Sequence, residues 1–171
     1  GNICFIKNLG GGNDPIWAAP VNFKVNGEVI RILAGKNGSI QGPCEEKWGY
    51  TTVSVADWDG DGKKDIIANS IFGEIVWYKN TGDVENLEGP YRVKVDWQGK
   101  DAPKPLWNWW NPGKTDLVTQ WRTTPFAIDW NQDGFTDLIL MDHEGYLCFY
   151  ERFKMNDELW LKPGKRIFAT E

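Results

Sequence analysis

Sliding the chain along itself by 72 positions lays residues 57–65, DWDGDGKKD, onto residues 129–137, DWNQDGFTD. The match runs well beyond the acidic stretch. GNICFIKN (1–8), GEIVWYKN (73–80) and GYLCFYER (145–152) fall into register, Thr51-Thr52 lies over Thr123-Thr124, and Ile66-Ile67 lies over Leu138-Ile139. A fixed internal period restricts the chain to repeat architectures, in which each copy is one supersecondary unit and neighbouring copies bury a shared core.

Within each copy the local signals are those of strands. TVSVAD, DIIANS and GEIVWYK in one copy, and PFAID, DLILMD and GYLCFYE in the other, are short, β-branched or aromatic, and bounded by Gly, Asn and Asp. No long window holds a 3.6-residue apolar period, so the expected class is all-β with few helices. Three or four antiparallel strands per copy suggest the blades of a β-propeller. The 72-residue spacing exceeds the ~40–50 residues of a usual blade, which assigns the surplus to long loops such as the Pro-, Gly- and Trp-rich segment 96–120. The repeat units run approximately over 1–48, 49–120 and 121–171, about 2.4 periods in 171 residues, and the first lacks its acidic stretch. A closed ring needs about four to eight blades. The expectation is therefore a partial propeller, an arc of two to two and a half blades completed by other chains or by sequence absent here, because open sheet edges invite pairing. A free-standing β-sandwich is the alternative.

Acid groups at loop positions 1, 3, 5 and 9 with glycine at 6 converge oxygen atoms on one point. In the first copy these are Asp57, Asp59, Asp61 and Asp65, with Gly62 at the bend and the carbonyl of Lys63 as a further ligand. In the second the same positions hold Asp129, Asn131, Asp133 and Asp137, the asparagine offering an amide oxygen, with Gly134 and the carbonyl of Phe135. The spacing resembles the first half of an EF-hand loop, but a strand follows where a helix would stand. All-oxygen ligation favours Ca²⁺ over zinc or copper, which take sulfur and imidazole. A solvated Asp-rich turn is the bland alternative. A cation here would be structural, relieving carboxylate repulsion and stapling strands, and the loop with four carboxylates should hold it more tightly than the loop with three.

DWDGDGKKDIIANSIFGEIVWYKN and DWNQDGFTDLILMDHEGYLCFYER resemble FG-GAP or VCBS-type repeats, the calcium-binding β-propeller modules of extracellular and bacterial surface proteins. The resemblance implies the propeller fold, Ca²⁺ as cofactor, and a secreted, periplasmic or cell-surface location. It does not fix an activity, since one propeller scaffold serves adhesion modules, lectins and polysaccharide lyases alike.

Eleven tryptophans are the compositional outlier. An aromatic repeated in both copies is expected to be scaffold, which takes in Trp58, Trp130 and Trp77, and by similar reasoning Trp17 and Trp160. Unrepeated ones are free for a ligand: Trp48, Trp97, and the crowded set Trp107, Trp109, Trp110 and Trp121. Indole faces suit pyranose rings, although the same loop could fold back as a plug over its own unit. Three unrepeated polar residues join this set: Arg122 in the place of Tyr50, His143 in the place of Ile71, and Tyr146 in the place of Glu74. The leading expectation is a non-catalytic module binding carbohydrate or a protein partner. The alternative is a propeller-type lyase on uronate-containing glycans, with Arg122, His143 and Tyr146 as clamp, base and acid.

A net charge of -5 and a pI near 5.0 argue against a general grip on nucleic acid or anionic membranes. No apolar run reaches the length of a membrane span, and residues 1–12 lack the features of a signal peptide, so the chain reads as a mature or trimmed product. Cys4, Cys44 and Cys148 are odd in number and unpaired in spacing, which indicates free thiols.

Overall fold

A computed structural model of the chain describes residues 1–35, 45–83, 85–104 and 110–168. The all-β expectation is met: the described residues form strands, turns and one 3-10 turn (Glu45–Lys47), with no α-helix. Several small antiparallel sheets result, and among the described residues none closes on itself.

The N-terminal segment is a set of two-residue and three-residue strands: β1 (Cys4–Phe5), β2 (Asn8–Gly10), β3 (Ile16–Trp17), β4 (Val21–Asn22), β5 (Lys24–Val25) and β6 (Glu28–Val29). They pair as β1–β4, β2–β3 and β5–β6. A four-stranded sheet follows, made of β7 (Val53–Ala56), β8 (Asp65–Asn69), β9 (Ile75–Lys79) and β10 (Glu88–Arg92) in sequential order. The second four-stranded sheet takes β11 (Phe126–Ile128), β12 (Asp137–Met141) and β13 (Leu147–Tyr150). Then β14 (Arg152–Met155) and β15 (Glu158–Leu161) form a hairpin of their own, and β16 (Lys165–Arg166) returns to pair with β13. That extra hairpin is the main departure of the second copy from the first.

The 72-residue period survives as hydrogen-bond register. Ile66 pairs with Tyr78 and Leu138 with Tyr150; Val55 pairs with Ile66 and Ala127 with Leu138. Strand β8 explains the layering. All five of its residues are buried, which a strand achieves only when both faces are covered. Alternation sends Ile66 and Ala68 into a cluster with Ile3, Ile30, Tyr78 and Leu87. Ile67 goes the other way, into a larger core with Ile75, Leu138, Leu140, Cys148, Tyr150 and Leu161. The first sheet is thus the middle of three layers. Edge strands β7 and β11 lie side by side, joined by the Ala127 N–H donating to Ser54 Oγ at 3.0 Å. The long segment after β10 does not stay in solvent: Val93, Val95, Leu117 and Val118 are buried, and Leu117 N–H donates to the Val93 carbonyl at 3.0 Å.

Candidate metal centre

Both acidic stretches are tight connections between an edge strand and its neighbour, and carboxylates hold the bend by accepting backbone amides. Asp57 accepts from Gly60 and Gly62, each at 2.9 Å; Asp59 accepts from Asp61 at 3.2 Å; Asp61 accepts from Lys63 at 2.9 Å. The second loop repeats the frame: Asp129 accepts from Gly134 at 3.0 Å, Asn131 from Asp133 at 3.1 Å, and Asp133 from Phe135 at 2.8 Å. Gly62 and Gly134 have φ of 87° and 91°, the left-handed region that favours glycine at the bend.

The position-9 acids do something different. Asp65 is fully buried; one oxygen accepts the Trp58 N–H at 2.8 Å and the other the Asn80 N–H at 2.8 Å. Asp137 does the same with Trp130 at 3.0 Å and Arg152 at 2.7 Å. Each carboxylate ties the start of its own loop to the residue just past the neighbouring strand, β9 or β13. Burial pushes both carboxyls above the ordinary aspartate range, against the pull of these amides.

Among the described residues one group of three acids brings ligand oxygens within 4.8 Å of one another: Asp57, Asp59 and Asp61. A cation is already drawn there. The Lys79 ammonium, from the end of β9, contacts Asp59 and lies 2.9 Å from Asp61, with Lys63 Nζ at 3.3 Å from Asp61. Lys79 holds Asp61 down at about 2, and the two carboxylates push Lys79 above the ordinary lysine range. The donor set therefore fits a hard cation: oxygen only, negatively charged, and already attracting a positive group. In the second loop Asn131 replaces the middle acid and donates to Asp133 at 2.8 Å, and Glu151 stands where the first copy has Lys79. Glu151 turns away to Lys162 at 2.5 Å.

Loop one is also gripped from the second unit. Thr136 Oγ1 donates to the Asp57 carbonyl at 3.0 Å, and the Arg152 guanidinium lies 3.4 Å from the centroid of the Trp58 ring. That ring is 3% exposed, whereas its counterpart Trp130 is 55% exposed. The scaffold expectation for both thus divides: Trp58 is covered by the unit that follows it, and among the described residues nothing plays that part for Trp130.

Strand direction puts the other candidate residues at the opposite rim. β8 leaves the acidic loop at Asp65 and ends at Asn69, about 13 Å away at ~3.3 Å per residue. There the Arg122 guanidinium is sandwiched between the rings of Tyr50 (3.7 Å) and Trp121 (4.4 Å) and pairs with buried Glu45 at 2.6 Å. Tyr50 also donates to Glu45, which raises the phenol's pKa. Tyr146 is exposed under the Arg166 guanidinium at 3.8 Å, and Arg166 pairs with Asp142 at 2.8 Å. His143 is part-exposed in the turn between Asp142 and Gly145. Among the described residues no hydrogen bond, ion pair or ring contact joins Arg122 to His143 or Tyr146. Trp110 donates its indole N–H to the Phe72 carbonyl at 3.0 Å with Arg92 at 5.0 Å from its ring, and Trp97 packs on the core. Trp107, Trp109 and Cys44 lie outside the described residues.

Sequence reasoning did not single out Lys79, Arg152 or Glu45. For the first two a signal existed: both sit where the two copies differ, Lys79 against Glu151 and Asn80 against Arg152. Glu45 carried none, since its partners come from residues 50 and 122. Comparison with protein-family models, with curated proteins and with solved structures finds no match.

Proposed function

We propose that this chain is a cation-stapled arc of a β-propeller, with Ca²⁺ as the cation, which presents an aromatic and arginine-bearing rim to a carbohydrate or protein partner. The observation that carries the metal reading is the convergence of Asp57, Asp59 and Asp61 within 4.8 Å, in a loop whose hydrogen-bond frame recurs 72 residues later. Asp57, Asp59 and Asp61 would hold the ion. When bound, it supplies positive charge that quenches repulsion among the three acids and leaves the bend fixed. Its role is structural, because these residues serve to orient a connection between strands rather than to leave a reacting group beside an acid or base.

Support for the arc comes from the repeated register and from edge strands β7 and β11 meeting side by side while the sheets stack on alternate apolar residues. Support for the ligand rim comes from the placing of Trp121, Arg122, His143 and Tyr146 at the end away from the acidic loops, with Trp48 exposed beside Tyr50. A surface carrying indole, phenol and guanidinium suits sugar hydroxyls and ring faces. Extracellular or periplasmic service belongs to the same reading, since an oxygen-only calcium site suits the millimolar calcium found outside the cell.

The test is a thermal melt in chelator and in millimolar Ca²⁺. Saturating cation at about 100 times Kd stabilises by about 2.7 kcal/mol, a rise of roughly 5–10 °C for a chain of this size. Asp59→Ala should abolish most of the rise, and superimposable curves for the wild type with and without cation would refute the metal reading. A glycan array then probes the rim, with Trp121→Ala as the control.

A further inference from the structure

We infer that the hollow between the first four-stranded sheet and the β14–β15 hairpin, where the buried Arg152 guanidinium lacks hydrogen-bond acceptors among the described residues, is a binding site for one neutral pyranose ring of a glycan. The site lies beside the first acidic loop, at the end away from Trp121 and Arg122. It rests neither on that rim nor on a bound cation.

Arg152 breaks the repeat. In register with it stand Asn8 and Asn80, and each of these closes a turn nearby: Asn8 accepts from the Gly10 N–H at 2.8 Å, and Asn80 donates to the Lys64 carbonyl at 3.0 Å. The Arg152 side chain does neither. It is 4% exposed, its guanidinium lies 3.4 Å from the Trp58 ring centroid, and its Nε and Nη1 have no hydrogen-bond partner among the described residues. Such groups are rare because each costs its desolvation. A ligand that brings oxygen atoms to the guanidinium relieves that cost.

Arg152 and Trp58 line a hollow of about 320 Å³, with Trp77 and Tyr91 from the first sheet and Asp157 and Glu158 from the hairpin as further walls. The Trp77 and Tyr91 rings lie 5.2 Å apart and tilted by 44°, and Tyr91 is exposed. Asp157 pairs with Lys154 at 3.0 Å and Glu158 with Lys94 at 2.8 Å. Both pairs are exposed, and each carboxylate keeps lone pairs for another donor. The volume stands at the lower end of small-molecule pockets, about 300–1,000 Å³, which suits one sugar ring.

Three kinds of group therefore meet in one place: aromatic faces, a guanidinium short of acceptors, and carboxylates able to accept. A purely apolar molecule leaves the guanidinium unmet. An anion meets it but also faces Asp59, Asp157 and Glu158 on the same walls, and the charge of Arg152 is already acted on by Asp137, Asp59 and Asp65. A sugar hydroxyl answers both polar groups, since its oxygen accepts from the guanidinium while its hydrogen goes to a carboxylate. The C–H face of the same ring covers an indole or phenol.

The isotope-labelled 171-residue chain is titrated in chelator with the methyl glycosides of glucose, galactose and mannose, and with sodium glucuronate as the anionic comparison. Expected is saturable binding of a neutral glycoside, with Kd on the order of 1 mM for a single ring. It should shift the indole N–H signals of Trp58 and Trp77 and leave that of Trp121 in place. Arg152→Lys keeps the charge but loses the planar fork, and should weaken binding at least about tenfold. Tyr91→Ala removes an exposed ring from the same hollow and should weaken binding at least about threefold, which carries the test should Arg152→Lys fail to fold. No shift at Trp58 and Trp77 with any neutral glycoside, tighter binding of glucuronate, or unchanged affinity in either variant would each overturn the assignment. Shifts confined to Trp121 would overturn it too while favouring the rim, and all of these outcomes leave the cation melt untouched.

Discussion

Replacing Asp65 separates two roles that the acidic stretch combines. Its carboxylate is fully buried and accepts from Trp58 and Asn80 at 2.8 Å each, with Asp59 N–H more distant at 3.4 Å. Asp65→Ala leaves the buried Trp58 amide and the part-buried Asn80 amide without acceptors, at about 1–3 kcal/mol each. Removing a carboxylate whose burial is itself unfavourable returns part of this, so the lower half of the range applies, about 3 kcal/mol. For a chain of this size that is a fall of roughly 6–12 °C in Tm. The loss should be present in chelator, because backbone amides and not a cation are the partners. Asp59→Ala in chelator removes one partly exposed ion pair and one amide contact, and should cost no more than about 1 kcal/mol. Chemical denaturation followed by tryptophan fluorescence, with Asp137→Ala as the second-copy control, measures both. Equal losses for Asp65→Ala and Asp59→Ala in chelator would refute the division of labour.

Other consequences are open to simple measurement. Lys79→Met should lower stability in chelator and enlarge the cation-dependent rise in Tm, because the ammonium both quenches and competes for Asp59 and Asp61. Lys79 depresses Asp61 to about 2, so the pair's stabilisation is complete above the unfolded aspartate value near 3.9 and is lost as pH falls towards 2. An acid titration in chelator should show this decline in wild type and not in Lys79→Met. Native-state alkylation mapped by mass spectrometry should label exposed Cys4 and spare Cys148, whose buried thiol is pushed up to about 12; labelling of both at similar rates would contradict that burial. Gly73→Ala should cost at least about 2 kcal/mol, since Gly73 has φ of 79° and a Cβ there would meet the Thr119 carbonyl oxygen at 2.4 Å; an unchanged unfolding midpoint would count against it.

What was legible in the chain was whatever the period repeats. The strands around DIIANS and DLILMD, the bends at Gly62 and Gly134 and the matched strand segments GEIVWYKN and GYLCFYER all lie in local sequence, because turn chemistry and alternation act over a few residues. The fate of each tryptophan was not legible in the same way. Trp58 and Trp130 hold identical loop positions, yet Arg152 covers only the first, a contact between residues 94 positions apart. The role of position 9 was hidden for a related reason. Spacing converges Asp65 with the other acids, but its oxygens are claimed by amides from a neighbouring strand and from its own loop. Arg122 was marked as unrepeated, while its closure against Glu45 and Tyr50 depends on a chain reversal that no local pattern records.

The seam between units bears on how the two loops rank as candidate cation sites. Carboxylate count favours loop one, but Lys79 and Lys63 offset that charge, and Glu151 does not offset the charge of loop two. Charge alone therefore separates them little. Packing separates them more. Loop one is clamped by Thr136 on the Asp57 carbonyl and by Arg152 on Trp58, so its bend is held before any ion arrives, and preorganisation raises affinity by lowering the ordering cost of binding. Arg152 is 4% exposed, its Nε and Nη1 have no hydrogen-bond partner among the described residues, and burial lowers its pKa against the opposing pull of Asp137, Asp59 and Asp65. Loop two ends in exposed Trp130, with no such clamp among the described residues. Loop one should therefore bind more tightly, and Arg152→Met should narrow the gap by loosening loop one, even though it removes a positive charge that would otherwise oppose a cation. A calorimetric titration in which Arg152→Met instead tightens loop one would show that electrostatics, and not the clamp, sets the order.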